Sequence, residues 1–321
     1  MNVTPIAILG GTGFVGRHLV NRLTKEGLSM RVLTRRRERH RDLLVIPTLD
    51  LIEADVHDVE VLVRETRGCR VLINLVGILN ERGDDGRGFR HAHFELAQKS
   101  VDACQRNGIL RLLHMSALNA APAGPSHYLR SKGEAEDLVH AARTQGLQVT
   151  SFRPSVIFGP DDGLFNRFAT LLRVAPWLFP LACPNALFAP VYVGDVVEAF
   201  ARALHDPATV GRRYDLCGPR VYTLQALVEY TAQCLHLKRR VIGLNEHLSR
   251  LQAGILERVP GKPMSLDNYR SLSVPSVCTE HNGLHTLGIE PLALETIVPA
   301  YLQQRHQRGR YQGLRGSARR R

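Results

Sequence analysis

Apolar residues fall in short blocks over the first 155 positions, and the blocks alternate between two periods. Runs at 5–9, 30–34, 48–54, 70–76, 110–115 and 147–152 are short and rich in Val, Ile and Leu, as in Arg70-Val-Leu-Ile-Asn-Leu-Val76. They read as strands. Between them, at 14–26, 58–66, about 90–106 and 128–145, apolar positions recur with helical spacing. In the first of these, Val15, Leu19, Val20 and Leu23 share a face, with Arg17, Arg22 and Lys25 elsewhere. Gly27 and Gly108 follow two of these segments, where a residue of positive φ is expected to end a helix. Strand and helix in strict alternation predict an α/β fold, with a doubly wound parallel sheet.

After Pro154 the rhythm changes. Pro160, Pro176, Pro180, Pro184 and Pro190 cut the chain into short pieces. A helical pattern at 195–204, a short strand at 213–217 and a helix beginning at Thr223 follow, and irregular pieces run to about 302. Three units are therefore expected: a sheet domain over 1–155, a smaller mixed α/β substrate lobe over 156–302, and a tail over 303–321. The lobe is expected to lie over the carboxyl edge of the sheet, where ligands bind in such folds, and to return to the sheet at least once.

Composition narrows the class. Hydrophobic content of 44% and charged content of 22% are ordinary for a soluble globular protein. No apolar run reaches the roughly 20 residues that span a bilayer, and only Met1–Thr4 precede the first strand. The expected location is cytoplasmic, or peripheral on the cytosolic membrane face. The net charge is +12, yet seven arginines and no carboxylate lie between Gln303 and Arg321. This basic tail is expected to be disordered, either solvated without a partner or held to an anionic surface. With the excess confined there and no recognition motif beside it, specific nucleic-acid binding is disfavoured. The six cysteines are scattered without ligand spacing and read as reduced thiols, and the histidines show no metal spacing.

The first strand runs straight into Gly10-Gly-Thr-Gly-Phe-Val-Gly16. Gly10 permits a tight turn, Gly13 a close approach of backbone to a pyrophosphate, and Gly16 close packing of helix on sheet; the helix N-terminus then faces the phosphates. Gly10, Gly11, Thr12, Gly13, Phe14, Val15 and Gly16 are accordingly candidate cofactor contacts in a Rossmann-type sheet. The second strand ends in Thr34-Arg35-Arg36-Arg37, without the carboxylate that usually meets an NAD ribose. An arginine there suits a 2′-phosphate, so NADP(H) is favoured over NAD(H), with Arg35 and then Arg36 as contacts; the alternative is a solvated basic loop.

Tyr128 and Lys132 stand four apart at the start of the helix after the fifth strand. An ammonium beside a phenol favours the phenolate, which suits proton exchange at a carbonyl or alcohol. Together with Asp55-Val56, Asn74-Leu75-Val76-Gly77, Ser116, Arg153-Pro154, Pro190-Val-Tyr-Val-Gly-Asp195-Val and Tyr214-Asp-Leu-Cys-Gly-Pro219, these motifs resemble short-chain dehydrogenases of the extended or atypical kind over roughly residues 5–235. Met115-Ser-Ala-Leu-Asn with Ser126-His-Tyr-Leu-Arg-Ser-Lys132 is most similar to the branch that contains the dehydrogenase-like accessory subunit of respiratory complex I and its bacterial relatives.

The resemblance implies that Asp55 and Val56 lie near the adenine and that Leu75, Val76, Gly77 and Pro154 line the cofactor. It also implies that Tyr128 and Lys132 bind the nicotinamide ribose or catalyse. Two functions follow: an NADP(H)-dependent oxidoreductase acting on a hydrophobic carbonyl, alcohol or quinone-related molecule, or a non-catalytic NADPH-holding accessory or assembly factor of complex I or of a ubiquinone-biosynthesis complex. One departure separates them. The usual catalytic Ser or Thr position holds Leu118, and loss of one oxyanion donor typically costs about 3 kcal/mol. Ser116, or failing it Ser126, is the candidate replacement. Val174–Leu181, with the chain's only tryptophan, is expected in the lobe core or against a lipid-like tail, a membrane or a partner complex. Asp195 is expected to cap the helix that follows it.

Overall fold

The computed structural model describes residues 5–260 and 262–303. All of the expected tail except Gln303 lies outside them. Seven parallel strands form one sheet: β1 (Ile6–Leu9), β2 (Met30–Thr34), β3 (Leu49–Glu53), β4 (Val71–Asn74), β5 (Arg111–Met115), β6 (Gln148–Pro154) and a last strand, Arg213–Leu216. Their order across the sheet is 213–216, β6, β5, β4, β1, β2, β3. The chain thus winds one way from β1 to β3 and the other way from β4 onward, so direction switches between β1 and β4.

Helices cover both faces. On one, α1 (Phe14–Thr24) packs Leu19, Val20 and Leu23 beside Val196, Val197 and Phe200 of the helix Val193–His205. On the other, α2 (Val59–Thr66), α4 (Leu96–Asn107) and α5 (His127–Ala141) bury Leu62, Leu96, Ala103, Ala135 and Val139 over Leu9, Leu72, Leu112 and Val149. Apolar strands such as Ile6–Leu9 are buried on both sides because each face has its own helix layer. Gly27 and Gly108 take φ of +68° and +67°, as the ends of α1 and α4 require.

Two departures from the sequence reading bear on the site. The helix expected from about 90 starts at α3 (Arg87–Arg90) and passes through a π-turn at His91–Glu95 before α4. No local pattern in the sequence signals that extra residue. Cys217 and Cys278, 61 positions apart, form a disulfide, which corrects the reading of all six cysteines as reduced thiols. The bond joins the end of strand Arg213–Leu216 to a strap whose Ser276 carbonyl accepts from Ala189 N and Ser155 Oγ. That proximity comes from tertiary folding and leaves no spacing signature.

The C-terminal part is not separate from the sheet. It supplies the edge strand Arg213–Leu216, paired with β6, and the helix against α1. The remainder builds its own small cores around Phe158, Phe165 and Leu227, and around Leu172, Leu224 and Val241.

Candidate functional site

Apart from Lys132 in α5, every expected cofactor contact sits at or just beyond the carboxyl end of a strand, so these line one edge of the sheet. At its centre, Gly10 has φ +76°, and a Cβ there would lie 3.1 Å from the Leu75 carbonyl carbon and Val76 nitrogen. The two loops at the switch point therefore touch backbone to backbone. Gly13 N donates to Gly10 O at 3.0 Å, and a Cβ on Gly16 would strike the Gly10 carbonyl and the Gly11 backbone. Gly11 lies against the Val32 side chain, while Thr12, Phe14 and Val15 are partly exposed around the turn. Gly13 is the N-cap of α1, without a side chain to cap it, and the first turn carries no carboxylate. Its leading amides are thus left for an anion. A concave backbone surface that a methyl group would fill, under a positive helix end, fits a dinucleotide pyrophosphate.

Toward the other end of this edge, Arg35 and Arg36 are exposed beyond β2. Arg17 donates to Thr12 O at 3.0 Å and pairs with Asp42, so the glycine turn is tied to the segment that follows those arginines. The Asp55 carboxylate accepts from His57 N at 2.9 Å, and Val56 is buried beneath it.

On the far side of the switch point stands α5, with Ser126 as N-cap accepting from Leu129 N. Tyr128 and Lys132 lie one turn apart on it. The Lys132 ammonium is buried and donates to Met115 O at 2.9 Å and Val76 O at 3.3 Å; a Cβ on Gly77 would lie 3.3 Å from it. Burial pulls its pKa down to about 8, against the opposing effect of the Glu136 carboxylate. The expected lowering of the Tyr128 pKa is absent. Desolvation pushes that phenol up to about 12, with the lysine turned toward backbone carbonyls.

Both candidate replacement donors are hydrogen-bonded within the protein, Ser116 as donor and Ser126 as acceptor. Ser116 Oγ is buried and donates to Glu136, whose carboxylate also receives Arg153 at 2.8 Å and Arg213 at 2.7 Å. That buried carboxylate wins the proton that Ser116 was expected to offer a substrate. Ser126 accepts from Leu129 N and from Ser271 Oγ. Leu118 is buried with Ala189 and Cys217, and the Pro154 carbonyl, at the end of β6, accepts from Leu118 N at 3.0 Å. Asp195 lies in the first turn of Val193–His205 and accepts from Leu292 N at 2.8 Å, so it holds a distant segment rather than capping its own helix.

Two features escaped the sequence reading. The first is His93, brought inward by the π-turn and 2% exposed. Its Nε2 accepts from Ile78 N at 3.1 Å, so Nδ1 carries the proton toward Ser131 Oγ at 2.8 Å, and that hydroxyl donates to Tyr128 O. Desolvation and the Lys132 charge hold His93 neutral, well below the usual histidine pKa. It ties the loop after β4 to the helix carrying Tyr128, and Tyr128 packs edge-on to it at 5.6 Å.

The second is the helix Leu266–Ser271. Asp267 accepts from the His127 and Tyr128 amides at 2.7 and 3.1 Å, Arg270 forks onto Asp84 at 2.7 Å through both terminal nitrogens, and Asn268 donates to Leu79 O. Asp84, His127 and Asp267 come within 4.8 Å of one another, and the Arg270 guanidinium meets the charge of both carboxylates. The segment 174–181 divides: Leu181 is buried and Phe179 packs on Phe168, while Val174 and Trp177 are exposed.

Comparisons with known proteins agree with this geometry. The chain is 27% identical, over 92% of its length and 78% of the relative's, to the mitochondrial NADH-ubiquinone oxidoreductase 40 kDa subunit of Neurospora crassa. It is 36% identical, over 61% of each chain, to a ceramide reductase of Caulobacter vibrioides. Among solved structures, MoeE5 in complex with UDP-glucose and NAD superposes with a TM-score of 0.73 at 18% identity, over 94% of this chain and 99% of that one, which is a likeness of fold. Residues 6–217 match the NAD dependent epimerase/dehydratase family, and with that match over most of a sheet built for an NAD(P) nucleotide, the chain belongs to this family.

Proposed function

We propose that this chain is an NADP(H)-dependent oxidoreductase of the short-chain dehydrogenase type that acts on a carbonyl of a hydrophobic or quinone-related small molecule. The observation that carries the reading is Tyr128 with Lys132 beside the Val76–Gly77 backbone, across the switch point from the Gly10–Gly16 cradle. Gly10–Gly16 would hold the pyrophosphate, Arg35 and Arg36 the 2′-phosphate, Asp55 and Val56 the adenosine end, and Leu75–Gly77 with Pro154 the nicotinamide end. The bound cofactor supplies the hydride.

Tyr128 supplies the proton. A phenol that desolvation pushes up to about 12 stays protonated at neutral pH and can donate to the alkoxide that forms, which is the stronger base. Lys132, fixed by the Val76 and Met115 carbonyls one turn along α5, would meet the ribose. His93 and Asp267 orient α5 without touching substrate.

A second reading is supported by the engaged hydroxyls of Ser116 and Ser126 and by Leu118: an accessory or assembly factor that keeps NADP(H) as a permanent ligand in a respiratory or quinone-synthesis complex. One experiment separates them. The purified protein is given NADPH or NADH with a panel of long-chain ketones and quinones, and nicotinamide absorbance is followed for parent and Tyr128→Phe. Turnover lost in a variant that still binds NADPH supports the enzyme. NADPH retained through purification, with no turnover in either protein, supports the accessory factor, and failure to bind either nucleotide overturns both.

A further inference from the structure

The outer part of the small lobe carries a surface that the redox site does not use. A parallel ladder of Leu178–Leu181 and Arg240–Gly243 supports the helix Glu246–Leu256. Ser249 and Ala253 are that helix's buried side, and Gln252 donates to the Pro180 carbonyl at 3.0 Å. Ser249 Oγ accepts from Cys183 N at 3.1 Å, so the helix is fixed to the ladder. A different side, at spacings of three and four, presents Leu248, Leu251 and Ile255, which are 47%, 59% and 56% exposed.

The ladder adds exposed Ile242, and Val259 follows the helix. Where the ladder begins, Trp177 is 66% exposed beside Val174, and its carbonyl accepts from Arg240 N at 2.8 Å. Of the 14 large apolar side chains exposed among the described residues, seven lie in this unit. Scattered apolar residues need no explanation, but this concentration marks a contact surface.

Charge selects the partner. The stretches 173–182 and 236–259 hold six cations (Arg173, Lys238, Arg239, Arg240, Arg250, Arg258) against two carboxylates, Glu246 and Glu257. Lys238, Arg239 and Arg240 line an open surface pocket with Trp177 and one carboxylate, Glu229. A surface helix with a branched aliphatic stripe, together with an exposed tryptophan and long cationic side chains at the start of the ladder that carries it, matches the layered chemistry of a bilayer interface: acyl chains, then headgroup phosphates.

We propose that this surface seats on an anionic lipid bilayer, with Leu248, Leu251, Ile255 and Trp177 entering the acyl boundary and Lys238, Arg239 and Arg240 meeting phosphates. The proposal does not rest on the redox reading. The chain runs on from this helix to Leu266–Ser271, whose Asp267 accepts from the His127 and Tyr128 amides, so one segment links the lipid contact to the start of α5.

Trp177 is the only tryptophan of the chain, so its emission reports on this surface and nothing else. The full-length protein is mixed with phosphatidylcholine vesicles with or without phosphatidylglycerol, and co-sedimentation and emission are read together. Expected are co-sedimentation with the anionic vesicles only, a blue shift of Trp177, and its quenching by acyl-brominated lipid. The double variant Leu251→Glu with Ile255→Glu should bind at least about tenfold more weakly. Circular dichroism checks its fold, and Lys238→Glu with Arg240→Glu tests the headgroup contact separately. Vesicle binding with unchanged Trp177 emission would assign the contact to the basic tail and overturn the proposal. So would indifference to both vesicle types, which would leave the surface to a protein partner.

Discussion

Replacing His114 should make the protein less sensitive to acid by a definable amount. His114 is in β5, in register with Asn74 of β4 and Ser151 of β6, and is 2% exposed. Neither ring nitrogen has a hydrogen-bond partner among the described residues. Lys132 and His140 are the charged or titratable groups that act on it, and both oppose its protonation; desolvation is the larger cause, and together they hold its pKa at about 3.

In the unfolded chain the same ring titrates near 6.5, so between these values the unfolded state binds more protons and stability rises with pH. His114 thus costs nothing above about pH 7, and its penalty grows as pH falls through 6.5. At about pH 5 the difference amounts to roughly 2 kcal/mol, at about 1.36 kcal/mol per pH unit. The variant His114→Leu also removes a buried polar group without partners, so at neutral pH it should be as stable as the parent or more so. Denaturant titrations near pH 7.5 and pH 5 measure both effects: the parent should lose about 2 kcal/mol more than the variant over this interval. Parallel losses in the two proteins would refute the assignment of a buried neutral imidazole.

Other outcomes follow from the same geometry. Gly16→Ala places a methyl group against the Gly10 carbonyl and should weaken NADPH binding at least about tenfold by calorimetry, with the fold retained by circular dichroism. Arg35→Ala with Arg36→Ala should lower NADPH affinity by about ten- to a hundredfold and leave NADH affinity within about twofold; an equal loss for both cofactors would contradict a 2′-phosphate contact. Thiol titration of the denatured, unreduced protein should count two fewer thiols than after reduction. Cys217→Ser, which opens a closure of 61 residues, should lower stability by about 2–4 kcal/mol in thermal or denaturant melts.

The sheet was legible because its signals are local. Short Val/Ile/Leu runs, helical spacing between them and the glycines at 10, 27 and 108 each act within a few residues, so β1 to β6 and α1, α2 and α5 emerge close to their expected limits. The placement of Gly10–Gly16 and Leu75–Gly77 on one edge follows from strand order, and the position of Tyr128 and Lys132 from the helix after β5. What stayed hidden depends on partners far along the chain. The Tyr128 pKa moves opposite to the sequence expectation because burial desolvates the phenol, while the lysine bonds to the Met115 and Val76 carbonyls. Ser116 is unavailable because it donates to Glu136, a carboxylate held by Arg153 and Arg213 from other elements. His93 owes its place to a π-turn, and Asp267 and the Cys217–Cys278 pair owe theirs to the packing of the small lobe.

The donation of the α5 cap by Asp267 has a consequence for biosynthesis. The helix bearing the proposed acid emerges from the ribosome about 140 residues before the carboxylate that satisfies its first two amides. Until that segment docks, the amino end of α5 has only the Ser126 cap, so this helix is completed by one of the last parts of the chain to be made.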